Sequence, residues 1–456
     1  MINLILSVSS QFIRICAVMV FTAILARKLP ISDFGILSIV GVVGNFATLL
    51  TTAGFSVKTL RSENVSDNDC QQAFLLNVIV GIVSATGLFI LGYLSYDIWG
   101  DLRIKNIFYI GSVVFFMSAA SLQSKSYIEH ELKFKLLTVI ELASVLVSIG
   151  VGVLLYLEEY YLESIVILTY TRITVCSIGY FFVSSWKPRF CGFQSSAVQD
   201  FRDGVSVGVH NWLNYGARNI DKLLISRVFG LTQLGFYENA YRFLLFPITN
   251  LRAPIARVLL PTLAKSKLAQ DRSKIYLKYH VVVCSTIIPL MVCLGIHADY
   301  IVSLVLGNGW DKTAQIFKWF SVIGVIQPVV TLTGVVILAS GDMKKYRNWG
   351  ASYAVFSVLS YIVGTASDDV IGVAVTYTIF NILSANYFVK TALCSSGISR
   401  KPFWSIYITC LLIALAISGG LYKFPLNDNP LIYAPLGGLI SLILCFSIHR
   451  KRLMTP

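Results

Sequence analysis

Two neighbouring apolar stretches carry the side chains with the most chemical potential. The stretch from Val205 onward holds Asn211, Asn214, Arg218, Asp221 and Lys222, and the next, ending near Ala264, holds Glu238, Asn239, Arg242, Asn250, Arg252 and Arg257. A charge in hydrocarbon costs at least about 2.5 kcal/mol, so ionisable groups at membrane depth face a protein-lined cavity instead of lipid. A guanidinium stays charged when desolvated and grips phosphate or carboxylate through two parallel N–H bonds. Arginines with amides beside them therefore point to a site for an anion that also has groups to hydrogen-bond. At 3.6 residues per turn, Asn211, Asn214, Arg218 and Lys222 fall within about 80° of one another. Asn239, Arg242, Asn250 and Arg257 share a face of similar width. Near the N-terminus, Ser7, Ser10, Gln11 and Arg14 form a plainer stripe, and Asn45, Thr48 and Thr52 another.

The elements that hold these residues are membrane helices. The chain has 456 residues, 56% hydrophobic and only 13% charged, with a mean hydropathy of +0.72. That balance excludes a soluble domain and fits an all-α polytopic membrane protein. The first stretch begins at Met1 without a basic leader or small-residue cleavage site, which reads as a retained helix. Apolar runs of about 20 residues predict about fourteen spans. Their cores are 4–26, 35–57, 73–96, 106–124, 136–157, 164–185, 205–226, 235–260, 279–297, 314–338, 349–366, 370–389, 404–420 and 431–448. The connections between them are short and leave no room for an extramembrane domain. The nine cysteines lie mostly in apolar segments with no paired spacing, and the five histidines are isolated. No metal site, catalytic constellation or cofactor is predicted.

Loop charges set the expected orientation. With the N-terminus inside, loops on the cytoplasmic side carry 22 of the 37 Lys and Arg residues and the opposite loops carry 8. The positive-inside rule then places both termini in the cytoplasm. Seven cations remain at membrane depth, Arg14, Arg172, Arg218, Lys222, Arg242, Arg252 and Arg257, against the acids Glu141, Asp221 and Glu238. The net charge of +14 is thus mostly topology signal, and nucleic acid need not be invoked. The excess inside the membrane is the functional part.

The chain also repeats itself. Residues 26–36 read Ala-Arg-Lys-Leu-Pro-Ile-Ser-Asp-Phe-Gly-Ile, and residues 226–236 read Ser-Arg-Val-Phe-Gly-Leu-Thr-Gln-Leu-Gly-Phe. Arg, a turn, a capping Ser or Thr, an apolar residue and Gly recur at an offset of 200 residues. An even number of spans separates the copies, so both lie on one side of the membrane, as in a parallel repeat. The expected architecture is two pseudo-symmetric six-helix lobes around a central cavity: 1–190, with spans one to six, and 200–395, with spans seven to twelve. A terminal helix pair and a basic cytoplasmic tail follow in 400–456.

Blander roles compete for several of these side chains. Arg257 lies where it can snorkel to headgroups. Arg218 with Asp221, and Arg242 with Glu238, have the spacing of structural ion pairs. Arg172 and Glu141 can pair with each other. Asn and Thr stripes also glue helices together.

The block Asn211-Trp212, Arg218 to Ile225, Gly230, Leu234 to Tyr237, Ala240-Tyr241-Arg242, Pro247, Leu260-Pro261 and Leu263-Ala264 resembles the polysaccharide transporter (PST) branch of the MOP flippase superfamily. So does the opening Ala23, Ala26 to Pro30 and Asp33 to Gly35. Members include Wzx-type flippases for O-antigen and exopolysaccharide units, among them the colanic-acid exporter type. The resemblance implies translocation of undecaprenyl-diphosphate-linked oligosaccharide repeat units across the bacterial inner membrane by alternating access. It implies Arg14, Arg218 and Arg242 as substrate-binding cations; the shared helix faces add Arg257 as a cavity cation and Gln11, Asn45, Asn211, Asn214 and Asn250 as polar lining. Asp221 and Glu238 are left as ion-coupling carboxylates or structural partners. Expected partners are the lipid-linked glycan, the bilayer, and the polymerase and chain-length regulator of the same pathway. Two alternatives remain: a membrane enzyme of that pathway, polymerase or ligase, and a cation-coupled multidrug exporter of the same superfamily. The first calls for catalytic residues on a large outer loop, the second for an excess of intramembrane acids.

Overall fold

The computed structural model describes residues 27–51, 66–189, 195–266, 268–396, 400–423 and 430–449, all in helices and their connections, with no strand among them. In chain order the helices are α1 (Ile31–Thr51), α2 (Asp67–Trp99), α3 (Leu102–His130), α4 (Phe134–Leu157), α5 (Tyr161–Val183), α6 (Ser195–Val228), α7 (Leu231–Lys265) and α8 (Ala269–Ile296). They continue with α9 (Ala298–Leu306), α10 (Asp311–Thr331), α11 (Thr333–Ala339), α12 (Met343–Gly364), α13 (Val370–Ser396), α14 (Arg400–Lys423) and α15 (Pro430–Ile448). Among the described residues, ten stretches are long and apolar enough to cross a membrane, with α10 and α11 together forming one of them. Helices α6 and α12 are as long but carry more charged and amide side chains. The expected first span, 4–26, lies outside the described residues.

Two details differ from the sequence expectation. The connection at 298–313 contains a nine-residue helix, α9. The expected span 314–338 is broken at Leu332 into α10 and α11.

Helix ends are set by local chemistry. Ser66 Oγ accepts from the Asp69 amide at 3.1 Å to start α2, and Gly100 ends it with φ 69°, a left-handed turn that glycine tolerates best. Asp101 then opens α3, its carboxylate accepting from the Arg103 amide at 2.8 Å.

Cα packing divides the chain into two compact units, Met1–Gly235 and Phe236–Pro456. In the first unit α2 pairs with α3 and α4 with α5, while α1 packs on α2, α3 and α6. The two copies of the sequence repeat meet within this unit. A methyl group on Gly35 would strike the Leu231 carbonyl oxygen, and one on Gly235 would strike the Ile31 carbonyl oxygen. The positions exchange under the 200-residue offset, so the contact is reciprocal. Only glycine permits that approach of backbone to backbone. The residue before each glycine, Phe34 or Leu234, is fully buried.

In the second unit α8 is the central post. Val281, Cys284, Ile288 and Val292 on α8 form one buried cluster with Ile406, Cys410 and Ala414 on α14 and Cys445 on α15. The terminal helices thus dock on α8 through small apolar side chains, the cysteines among them.

Candidate functional site

Helix α6 carries the first polar row. Its segment around Trp212 is held against α1 by two side-chain donors. Trp212 Nε1 donates to the Leu49 carbonyl at 3.1 Å, and the Tyr215 hydroxyl donates to the Val42 carbonyl at 3.0 Å. The Tyr215 ring also meets Phe46, with centroids 6.2 Å apart. Trp212 packs on Leu76 of α2. At the far end Trp99 Nε1 donates to Ser226 Oγ at 3.1 Å. Since Leu49 meets Trp212 and Val42 meets Tyr215, α1 and α6 run antiparallel.

That packing decides which polar residues share a side. On α1, Asn45 and Thr48 lie about 60° and 120° to one side of the Val42 contact line. On α6, Asn211, Arg218 and Asn214 lie about 100–160° to one side of Trp212, with Lys222 nearer the contact. For an antiparallel pair of right-handed helices these offsets fall on the same flank. Asn45, Thr48, Asn211, Asn214 and Arg218 are all exposed there. Asn45, Asn211 and Arg218 form no hydrogen bond or ion pair with a described residue. Where such helices cross a membrane, exposed amides and a guanidinium with no ion partner among the described residues call for water or a polar ligand against them.

Two sequence expectations change here. Arg218 is not paired with Asp221, which is fully buried on a neighbouring face of the helix and has its own partners. Glu141 and Arg172 likewise do not pair with each other among the described residues. Asp221 lies about 60° round the same helix from Arg218 and is buried, while Arg218 is exposed.

Helix α7 handles its charges differently. Arg242 Nε lies 3.3 Å from Glu238 Oε1, one turn back, with Glu238 nearly buried. Asn250 and Arg257 are exposed. Pro247, Pro254 and Pro261 interrupt the hydrogen-bond ladder, each leaving the carbonyl four residues earlier without its helical donor. Two of those carbonyls belong to Asn250 and Arg257, so the exposed side chains stand beside freed backbone acceptors. Gln11 and Arg14 lie outside the described residues.

Sequence reasoning missed the residues that align the α1 and α6 rows. Tyr215 drew no attention, and Trp212 entered only as part of a motif. The available signal was an aromatic pair three residues apart, bordering the polar stripe. Arg103 was missed as well. Its guanidinium joins Asp33 at the start of α1, at 2.8 Å, to Asp101, also at 2.8 Å. Among the described residues no group of three or more His, Cys, Asp or Glu side chains is placed to hold a metal ion.

Comparison with known proteins agrees with this architecture. WzxC of Escherichia coli K12, a lipopolysaccharide biosynthesis protein, is 23% identical over 80% of this chain and 75% of its own length. TuaB of Bacillus subtilis 168, a teichuronic acid biosynthesis protein, is also 23% identical, over 83% of this chain and 79% of its own. The fold superposes on the lipid II flippase MurJ in an inward closed conformation with a TM-score of 0.74, covering 99% of this chain and 100% of that one at 15% identity. Residues 24–315, which include α1, α6, α7 and every described residue of the polar rows, match the family described as polysaccharide biosynthesis protein, and the chain belongs to that family.

Proposed function

We propose that the protein is a flippase that moves an undecaprenyl-diphosphate-linked oligosaccharide repeat unit across the bacterial inner membrane by alternating access. The observation that carries this reading is the exposed flank of α1 and α6, where Arg218 and Lys222 stand in line with Asn45, Asn211 and Asn214. A lipid diphosphate bearing a sugar needs both a cation for its anionic head and amide groups for its hydroxyls. Membership of a polysaccharide biosynthesis family and likeness to WzxC and TuaB support the glycan class. The MurJ-like fold supports a transporter over a polymerase or ligase.

Arg242, Arg257 and Asn250 on α7, and Arg14 and Gln11 in the first span, complete the proposed binding set. Glu238 is read as the structural partner of Arg242, and Asp221 as a buried structural carboxylate beside the row. The remaining organisation is part of the same proposal. It comprises fourteen spans, repeat halves at 1–190 and 200–395, the terminal pair at 400–456, both termini in the cytoplasm, and work alongside a polymerase and a chain-length regulator.

Complementation tests the reading. A host lacking the gene receives the parent chain or Arg218→Ala at matched membrane levels. Surface polysaccharide and the sidedness of lipid-linked units are then measured. Loss of polymer with units retained on the cytoplasmic face supports flipping. Normal delivery of single units with altered chain length replaces it with the polymerase reading.

A further inference from the structure

The polar flank is sorted along its length. Between Val42 and Leu49, which accept from Tyr215 and Trp212, lies Asn45, level with the turn that carries Asn211 and Asn214. Thr48 sits in the same layer, although its hydroxyl is turned to the Gly44 carbonyl at 3.0 Å. Toward the Val228 end of α6 the row changes character. At a rise of 1.5 Å per residue, Arg218 stands about 6 Å and Lys222 about 12 Å beyond Asn214. Neutral amides, which both donate and accept, occupy one level, and cations, which only donate, occupy the next. Asp221 is buried at the edge of the cationic level, so the cations and not the acid present themselves on the flank.

A glycosylated lipid diphosphate has the same order of groups, an anionic diphosphate joined directly to a ring of hydroxyls, with neighbouring centres a few ångströms apart. We propose that Arg218 and Lys222 hold the diphosphate while Asn45, Asn211 and Asn214 read the adjoining sugar, and that Trp212 and Tyr215 are positioning residues that keep the amides of α1 and α6 in register. This rests on the lipid-linked glycan reading and assigns the parts of that substrate. The register argument is physical. Asn45 and Asn214 belong to different helices, so a shared ligand finds both only while α1 and α6 hold one axial alignment. The two aromatic donors supply that alignment by binding carbonyls at either side of Asn45. Val42 lies inside α1, and a helical carbonyl oxygen has a second lone pair that can accept from Tyr215 without unwinding the helix.

Binding of two probes by the full-length chain in detergent tests the assignment: undecaprenyl diphosphate, and undecaprenyl diphosphate carrying a single hexose. Arg218→Ala is expected to weaken both probes by about ten-fold or more, the loss of a charge-assisted hydrogen bond. Asn45→Ala and Asn214→Ala are expected to weaken only the glycosylated probe, by about five-fold each. Tyr215→Phe removes one hydroxyl and is expected to reduce the preference for the glycosylated probe. In that background the penalty of Asn45→Ala shrinks, because the two residues act through one alignment. A merely structural Tyr215 lowers thermal stability but leaves the preference between probes unchanged, and that result overturns the positioning role. Equal weakening of both probes by the asparagine variants, or none, overturns the sugar assignment. If Arg218→Ala changes neither probe, the anion-site reading beneath the proposal fails instead.

Discussion

Helices α6 and α7 are almost equal in length, at 34 and 35 residues, and each carries an exposed arginine, Arg218 and Arg242. Their surroundings differ. Arg218 on α6 has no ion partner among the described residues and shares its flank with amides from a second helix. Arg242 on α7 is tied to Glu238 one turn away, and its helix is interrupted by three prolines. Residue type alone does not make a binding group. A guanidinium already bonded to a carboxylate gains less from an incoming phosphate, because the new bond competes with an existing one.

The sharpest way to break this contrast is to remove each arginine in turn. Arg218→Ala is expected to lower transport about 10–100-fold, corresponding to about 1.5–3 kcal/mol for a hydrogen bond to a charged group. Arg242→Ala is expected to cost several-fold less in the same complementation assay. Equal losses would show that the Glu238 contact does not restrain Arg242. A smaller effect sharpens the point. Glu238→Gln releases Arg242 from its charged partner and is expected to change transport less than about three-fold, with stability falling by about 1 kcal/mol for a partly exposed pair.

Alignment of α1 is tested by its glycine contact. Gly35→Ala and Gly235→Ala each place a methyl group against a carbonyl oxygen and are expected to destabilise the protein by about 1–3 kcal/mol. Gly216→Ala, on the α6 helix with open space around it, is expected to stabilise by about 0.5–1 kcal/mol. Thermal unfolding in detergent ranks the three. Similar shifts for all would remove the case for a close backbone contact.

Much of the fold was legible because lipid imposes one rule on every span. Twenty apolar residues must become a helix when no water can satisfy the backbone. The repeat was legible too, since a turn, a cap and a glycine leave a local signature. The site was legible only in part. The asparagines and arginines of α6 could be placed on one face from their spacing, and so could Asn45 and Thr48 of α1. That these two faces border each other could not, because the rotation and direction of α1 against α6 depend on contacts between Trp212 and Leu49 and between Tyr215 and Val42, residues 163 and 173 positions apart. Spacing also offered Arg218–Asp221 as a pair, yet Asp221 is buried while Arg218 is exposed.

By itself, then, the sequence determined a helical membrane protein with cations retained inside the bilayer and a motif repeated 200 residues apart, because periodicity and the cost of buried charge are local properties of a chain. Tertiary structure alone decided that the two motif copies meet through reciprocal glycine contacts, that Arg103 joins Asp33 to Asp101, and that Arg218 has no ion partner among the described residues while Arg242 is held by Glu238. Those outcomes depend on which face each helix turns toward another, and that is fixed by side-chain packing between residues far apart in the chain.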